Sequence, residues 1–190
     1  MQYGFLKIAA CTPEIRVADC EYNAEQIIQM MAEQSAAGVR VLVLPELCLT
    51  GYTCGDLFLQ DALLRAAAAA LGRIAEKSRH LPLLTVIGLP LVHRTKLYNC
   101  AAVCYRGKIL GIVPKTEIPN YAEFYELRHF SSAPDGTEPI RIGGEEVPFG
   151  SRLLFSCTEM PEFILAVEIC EDLWVSQPPS VRHAQAGATL

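Results

Sequence analysis

The sequence has no CxxC pair among its eight cysteines and only four histidines, so neither a zinc site nor another metal centre can be read from ligand spacing. It also lacks any run of Lys and Arg. With a formal net charge of -5 and a pI near 5.4, it offers no electrostatic footprint for nucleic acid or an anionic membrane surface, and a small polar metabolite is the expected partner. No apolar stretch reaches the roughly 20 residues of a membrane span. The opening MQYGFLKIAACTP has neither the apolar region nor the small-residue cleavage site of a signal peptide. Together these absences predict reduced thiols and a cytoplasmic protein.

Apolar material is plentiful. In a chain of 190 residues, 51% are hydrophobic and the mean hydropathy is +0.24, enough for one sizeable core and one domain. The pattern is that of an α/β protein. FLKIAACT (5–12) predicts a first strand, and residues 20–40 predict a helix with Ile27, Met30, Met31 and Gln34 on one face, Asp19 as N-cap and Gly38 as stop. VLVLPEL (41–47) is a continuous apolar run, as in a strand covered on both faces. Residues 56–80 predict the longest helix, close-packed through its poly-Ala stretch.

Further strands are predicted over 82–92, over 97–115 as a hairpin turning at Arg106 and Gly107, and over 151–157 and 163–170 around a turn at Pro161. Residues 117–150 show little periodicity and read as a long irregular connection, which inside a compact domain is more often functional than idle. Residues 176–190 predict a helix and the beginning of one more strand. No repeat or linker marks an internal boundary.

Three chemically capable residues each follow an apolar strand: Glu46, Lys115 and Cys170. In α/β sheets, ligands gather at the carboxyl ends of strands. Taken singly, each residue has an ordinary explanation. Glu46 can enter a solvated turn, Lys115 can sit at the surface, and Cys170 can be a packed thiol. Cys170 poses a puzzle of its own, because Glu168, Glu171 and Asp172 surround it with charge that opposes a thiolate. Taken together, the three supply a base, a cation for developing negative charge and a nucleophile, the set needed for thiol attack on an amide. A base elsewhere in the chain removes the need for a standing thiolate.

The segments LVLPELCLTGY, GIVPKTEIPNY and AVEICEDLW, in this order, resemble the nitrilase superfamily of carbon–nitrogen hydrolases. The flanking GYTCGDLF (51–58), PNYAEFYELRHF (119–130) and CEDLW are most similar to the glutaminase domains of glutamine-dependent NAD+ synthetases. The resemblance implies an α-β-β-α sandwich in which Cys170 attacks the glutamine side-chain amide, Glu46 is the general base and Lys115 holds the oxyanion. It also implies that Glu126 stands beside the cysteine and that Tyr52 and Tyr121 line the glutamine pocket. Glu171 is implied to give an oxyanion-hole N–H, with its side chain meeting the substrate's amino group.

By the same resemblance the domain itself takes no metal or cofactor. ATP and Mg2+ serve a synthetase domain that amidates deamido-NAD+, and no phosphate-loop segment of that domain occurs in residues 1–190. The expectation is thus an incomplete glutaminase domain whose sandwich lacks its last strands, with an exposed edge favouring association. Its expected partners are glutamine, a C-terminal synthetase domain and further copies of itself, and by itself it should release little or no ammonia. A stand-alone amidase or carbamoylase of the superfamily, or an inactive module acting only through interactions, are the alternatives.

Overall fold

The computed structural model describes residues 5–190. A seven-stranded mixed sheet organises the chain, in the order β1-β2-β3-β4-β5-β7-β6. Its members are β1 (Ile8–Ala10), β2 (Val41–Val43), β3 (Leu84–His93), β4 (Lys96–Tyr105), β5 (Lys108–Pro114), β6 (Glu138–Ile142) and β7 (Glu145–Phe149). β1, β2 and β3 are parallel, and two antiparallel pairings, β3 with β4 and β4 with β5, bring β5 back to the same direction. The carboxyl ends of β2, β3 and β5 therefore share one edge.

Helices α1 (Cys20–Ala36) and α2 (Asp61–Lys77) pack on each other and cover one face of this sheet. The buried stripe of α1 is Cys20, Ala24, Ile27 and Met31, spaced so that one face repeats every three to four residues. That differs from the expected stripe: Met30 is only partly buried and Gln34 stays outside the core. Asp19 does cap the helix, accepting the Tyr22 N–H at 3.0 Å, and Gly38 follows its end at φ +84°. In α2 the buried positions Leu63, Ala67, Ala70, Leu71 and Ile74 include two alanines of the poly-Ala stretch. The predicted helix 56–80 is divided by Gln60 into a 3-10 turn at Gly55–Leu59 and α2 proper.

The opposite face carries β8 (Phe155–Cys157) and β9 (Met160–Leu165), an antiparallel pair forming a second small sheet. Phe155, Phe163 and Leu165 pack against Val86, Ala101 and Val103, while the alternate residues Ile87, Cys100, Ala102 and Cys104 belong to the helix-side core. β3 and β4 are thus apolar on both faces, which explains their near-continuous hydrophobic runs. Helix α3 (Pro179–Gln185) follows the second sheet. Residues 189–190 run alongside β9, with the Thr189 and Leu190 N–H groups on Ile164 O and the Ala166 N–H on Leu190 O at 2.9 Å. This is backbone pairing of the kind expected there, without a strand of regular length.

Three further strand readings are corrected. β2 stops at Val43, because Pro45 cannot donate to a ladder and the chain turns at Pro45–Leu49. Pro161 lies inside β9 rather than at the turn, which falls at Thr158 and Glu159. Residues 138–149, read as irregular, form the β6–β7 hairpin around Gly143 and Gly144 at φ +61° and +89°. Its alternating Ile140, Ile142, Val147 and Phe149 are buried. The predicted β4–β5 hairpin is present, with Arg106 at φ +46° and Gly107 at φ +85°.

Candidate active site

Past β2, Leu44 still pairs with β3, its N–H on Val86 O at 3.0 Å, and the chain then folds tightly through Pro45, Glu46 and Leu47. Leu47 adopts φ +52°, a left-handed conformation rare for a branched residue. The turn lies directly on Gly88 of β3: a Cβ there would stand 2.4 Å from both Leu47 N and Pro45 O. Only glycine lets the strand and the Glu46 turn approach this closely. The Leu49 N–H to Gly88 O bond, at 3.1 Å, closes the contact.

Lys115 is the residue immediately after β5 and is fully buried. Its ammonium reaches Glu46 Oε1 at 2.7 Å and both oxygens of Glu126 at 3.0 Å. Glu126 opens a short 3-10 turn, Glu126–Arg128, is itself buried, and accepts the Tyr52 hydroxyl at 2.8 Å. A buried ammonium between two carboxylates is stable only because each charge is compensated at hydrogen-bonding distance. Burial opposes the charged form of Lys115, but Glu46 and Glu126 overcome it and raise its pKa above the ordinary value.

Cys170 does not directly follow a strand as expected; β9 ends at Leu165 and an extended segment intervenes. It starts the 3-10 turn Cys170–Trp174 at φ +48°, a left-handed conformation that is strained for a residue other than glycine. The residue is exposed, in contrast to the buried Cys20, Cys48, Cys54, Cys100 and Cys104. Partial burial of the thiol and then the negative charge and hydrogen bonding of Glu46 raise its pKa, with Lys115 pulling the other way and Glu126 adding to the rise. At neutral pH the resting residue is a thiol, and its titration is coupled to both carboxylates and the ammonium.

Asp172 joins the cysteine and lysine segments. Its Oδ1 accepts the N–H groups of Thr116 at 2.9 Å and Glu117 at 2.7 Å, and its Oδ2 accepts that of Ile169 at 3.0 Å. One buried carboxylate thereby fixes the residues just after Lys115 against the residue just before Cys170. Burial raises its pKa, opposed by those three donors and by Lys115.

The structure brings Glu46, Lys115, Cys170, Glu126 and Tyr52 into one coupled group. Burial first, then the bond to Glu126, pushes the Tyr52 phenol up, and the charges of Glu46 and Cys170 act on it as well. Tyr121 and Glu171 form a separate, exposed pair, hydroxyl to Oε2 at 2.8 Å, with Cys170 close enough to act on the Tyr121 phenol. Beside Tyr52 and Glu126 opens a cavity of about 260 Å³ lined also by Phe58, Tyr125 and Phe130. Asp56 clamps its two loops, accepting both Arg128 Nε at 2.7 Å and Arg128 Nη2 at 2.8 Å.

Sequence reasoning missed Asn99, Asp172 and Gly88. Asp172 stands two residues from the cysteine but was grouped with the acids that merely oppose a thiolate. Asn99 carried a signal, a polar residue inside the apolar run LYNCAAVC, and is fully buried on β4. Among the described residues, no group of three or more His, Cys, Asp or Glu could hold a metal ion. None of the described helices is long and apolar enough to cross a membrane.

Comparison with known proteins places the chain in a family. The carbon-nitrogen hydrolase family model matches residues 7–190. The glutamine-dependent NAD(+) synthetase of Mycobacterium tuberculosis (strain ATCC 25618 / H37Rv) is 44% identical over 189 residues, covering 100% of this chain and 28% of the relative. The crystal structure of a glutamine-dependent NAD(+) synthetase from Cytophaga hutchinsonii superposes with a TM-score of 0.84 at 30% identity, over 97% of this chain and 29% of that one. An amidase from Nesterenkonia sp. shares the fold, with a TM-score of 0.69 at 22% identity, over 96% of this chain and 62% of that one. The chain thus spans 28% of the length of the Mycobacterium relative. With a family model matched over almost its whole length, it belongs to the carbon–nitrogen hydrolases.

Proposed function

We propose that this domain hydrolyses the side-chain amide of glutamine and supplies the ammonia to a synthetase region of the kind its relatives are named for. The observation that carries the reading is the contact of one buried ammonium, Lys115, with both Glu46 and Glu126 beside an exposed cysteine whose thiol all three act on. The similarity to glutamine-dependent NAD(+) synthetases supports the choice of glutamine.

Glu46 takes the Cys170 proton as the sulfur bonds to the amide carbon, and the carbonyl oxygen becomes an oxyanion. Lys115 and the backbone N–H of Glu171, in the first turn after the cysteine where N–H groups lack intrahelical acceptors, stabilise that charge. Glu46 returns the proton to the departing nitrogen, leaving ammonia and a thioester. Water then attacks the thioester carbon with Glu46 again as base, and glutamate and the thiol are released. Tyr52, Tyr121 and the Glu171 side chain line the entrance and orient the glutamine head group.

The domain's own chemistry uses no cofactor. ATP and Mg2+ would serve the amidation of deamido-NAD+ in the synthetase region, in a cytoplasmic homo-oligomer. In the enzyme that joins this domain to such a region, Cys170→Ala should abolish glutamine-dependent NAD+ synthesis and leave ammonia-dependent synthesis intact. Surviving glutamine-dependent synthesis would sink the assignment. Turnover of simple aliphatic amides in preference to glutamine would move the domain to the stand-alone amidases.

A further inference from the structure

Asn99 lies on β4, two positions from Leu97 and directly across from the start of the Lys115 segment, and it is fully buried. Its backbone carbonyl accepts the Lys115 N–H at 2.8 Å, and its side-chain Nδ2 donates to Glu46 Oε1 at 2.6 Å. The same Glu46 oxygen takes the Lys115 ammonium at 2.7 Å. Two donors therefore converge on Oε1, and no N–H donor reaches Oε2 among the described residues.

The amide is also held at a disadvantage to itself. Asn99 Oδ1 is buried and has no hydrogen-bond partner. Buried amides are nearly always satisfied on both sides, so an orphaned acceptor calls for a reason. Turning the amide over would put Oδ1 against the Glu46 carboxylate, acceptor against acceptor, so the donor contact to Glu46 fixes the orientation. A side chain present only to fill β4 would be apolar, like its neighbours Cys100, Ala101 and Ala102.

We infer that Asn99 is a positioning residue that, with Lys115, occupies Oε1 of Glu46 and so leaves Oε2 as the oxygen that receives and returns the Cys170 proton. The inference rests on the proposed role of Glu46 as the base. A carboxylate free to rotate presents its two oxygens alternately and loses part of its alignment with the sulfur. One pinned at Oε1 keeps Oε2 aimed at the thiol through both half-reactions. The charged and titratable groups acting on the same spot are Lys115 from the end of β5, Glu126 from its 3-10 turn, Tyr52 from the loop after Glu46, and Cys170 itself.

The decisive experiment has a kinetic and a substrate-free arm. Asn99→Leu keeps the branched shape and removes the donor. In the enzyme that joins this domain to a synthetase region, ammonia release from glutamine should fall about ten- to a hundredfold in kcat, the range of a lost charge-assisted hydrogen bond, with KM changed less than about twofold. Glutamine affinity measured in a Cys170→Ala background should be equally unaffected by the added substitution. A rise in KM with kcat retained would overturn the inference.

In the second arm, the wild-type Asn99 side-chain NH2 signal in an NMR spectrum of asparagine-labelled protein should carry a strongly downfield proton. Glu46→Gln, which removes the charge but keeps the shape, should move it upfield. A signal indifferent to Glu46→Gln would overturn the inference even if Asn99→Leu fails to fold. This arm needs no substrate, so it stands or falls separately from glutamine as the substrate.

Discussion

Replacing Gly88 with alanine tests whether the close approach of β3 to the Glu46 turn is a requirement of the site. The new Cβ would stand 2.4 Å from Leu47 N and Pro45 O and 2.8 Å from Glu46 C, all of them backbone atoms that no rotamer change can move aside. Bringing the nearest contacts to 3.4 Å, the near edge of ordinary van der Waals contact, requires about 1 Å of separation between strand and turn. Overpacking of this kind costs about 1–3 kcal/mol, and weakening the Leu49 N–H to Gly88 O bond adds about 1 kcal/mol. A displacement of about 1 Å at the base lowers turnover by about a hundredfold. Urea unfolding should show a loss of about 2–4 kcal/mol, and steady-state ammonia release by the enzyme that joins this domain to a synthetase region the matching fall in kcat. Gly72 is the control: it lies inside α2, and a Cβ added there would meet nothing within 4 Å, so Gly72→Ala should gain up to about 1 kcal/mol and leave turnover alone. Stability within about 0.5 kcal/mol of wild type together with unchanged turnover in Gly88→Ala would refute the argument.

Two further outcomes follow from the site. Burial and then Glu46 raise the Cys170 thiol, so the rate of its alkylation by iodoacetamide, followed by peptide mass, should rise with pH to a midpoint above that of an ordinary thiol. Glu46→Gln removes the raising charge and should move that midpoint down; no movement would mean that Glu46 does not face the sulfur. Asp172→Ala strands the N–H groups of Thr116, Glu117 and Ile169 and should cost about 2–5 kcal/mol in urea unfolding, with Asp172→Asn milder because one oxygen remains to accept. A loss under about 1 kcal/mol would remove the link between the lysine and cysteine segments from the account.

What could be read in the sequence depended on whether a residue's role was local. The helix at 20–36 announced itself through apolar spacing and the Asp19 cap, and the β4–β5 hairpin through Arg106 and Gly107. The β6–β7 hairpin was missed, although Gly143–Gly144 separates two alternating segments. It was obscured by Pro139 and Pro148, which the hairpin accommodates opposite each other. Glu46, Lys115 and Cys170 stood out because each follows an apolar run, and the first two do end on the same sheet edge. Asn99 and Gly88 were not legible in the same way. Their importance comes from register between β3, β4 and the turn after β2, and register across a sheet is a tertiary property that no short window of sequence contains.

The acids around Cys170 illustrate the difference between sequence neighbours and spatial ones. Glu168 accepts the Ser180 N–H at 2.9 Å, Glu171 accepts the Tyr121 hydroxyl, and Asp172 is committed to three backbone donors. The carboxylates that act most strongly on the thiol are instead Glu46 and Glu126, far away in sequence. Under the proposed mechanism this arrangement has a consequence for Lys115. In the resting site its three protons face Glu46 Oε1 and the two oxygens of Glu126, leaving no donor free for an oxyanion. When Glu46 receives the thiol proton it becomes neutral, and its hold on the ammonium weakens from a charged bond to an ordinary one. The donor that had faced Glu46 is then available at the moment negative charge appears on the substrate oxygen, while Glu126 keeps the buried lysine charged. Proton transfer and oxyanion stabilisation are thereby coupled through one shared ammonium, and the second carboxylate is what allows the first to change its charge.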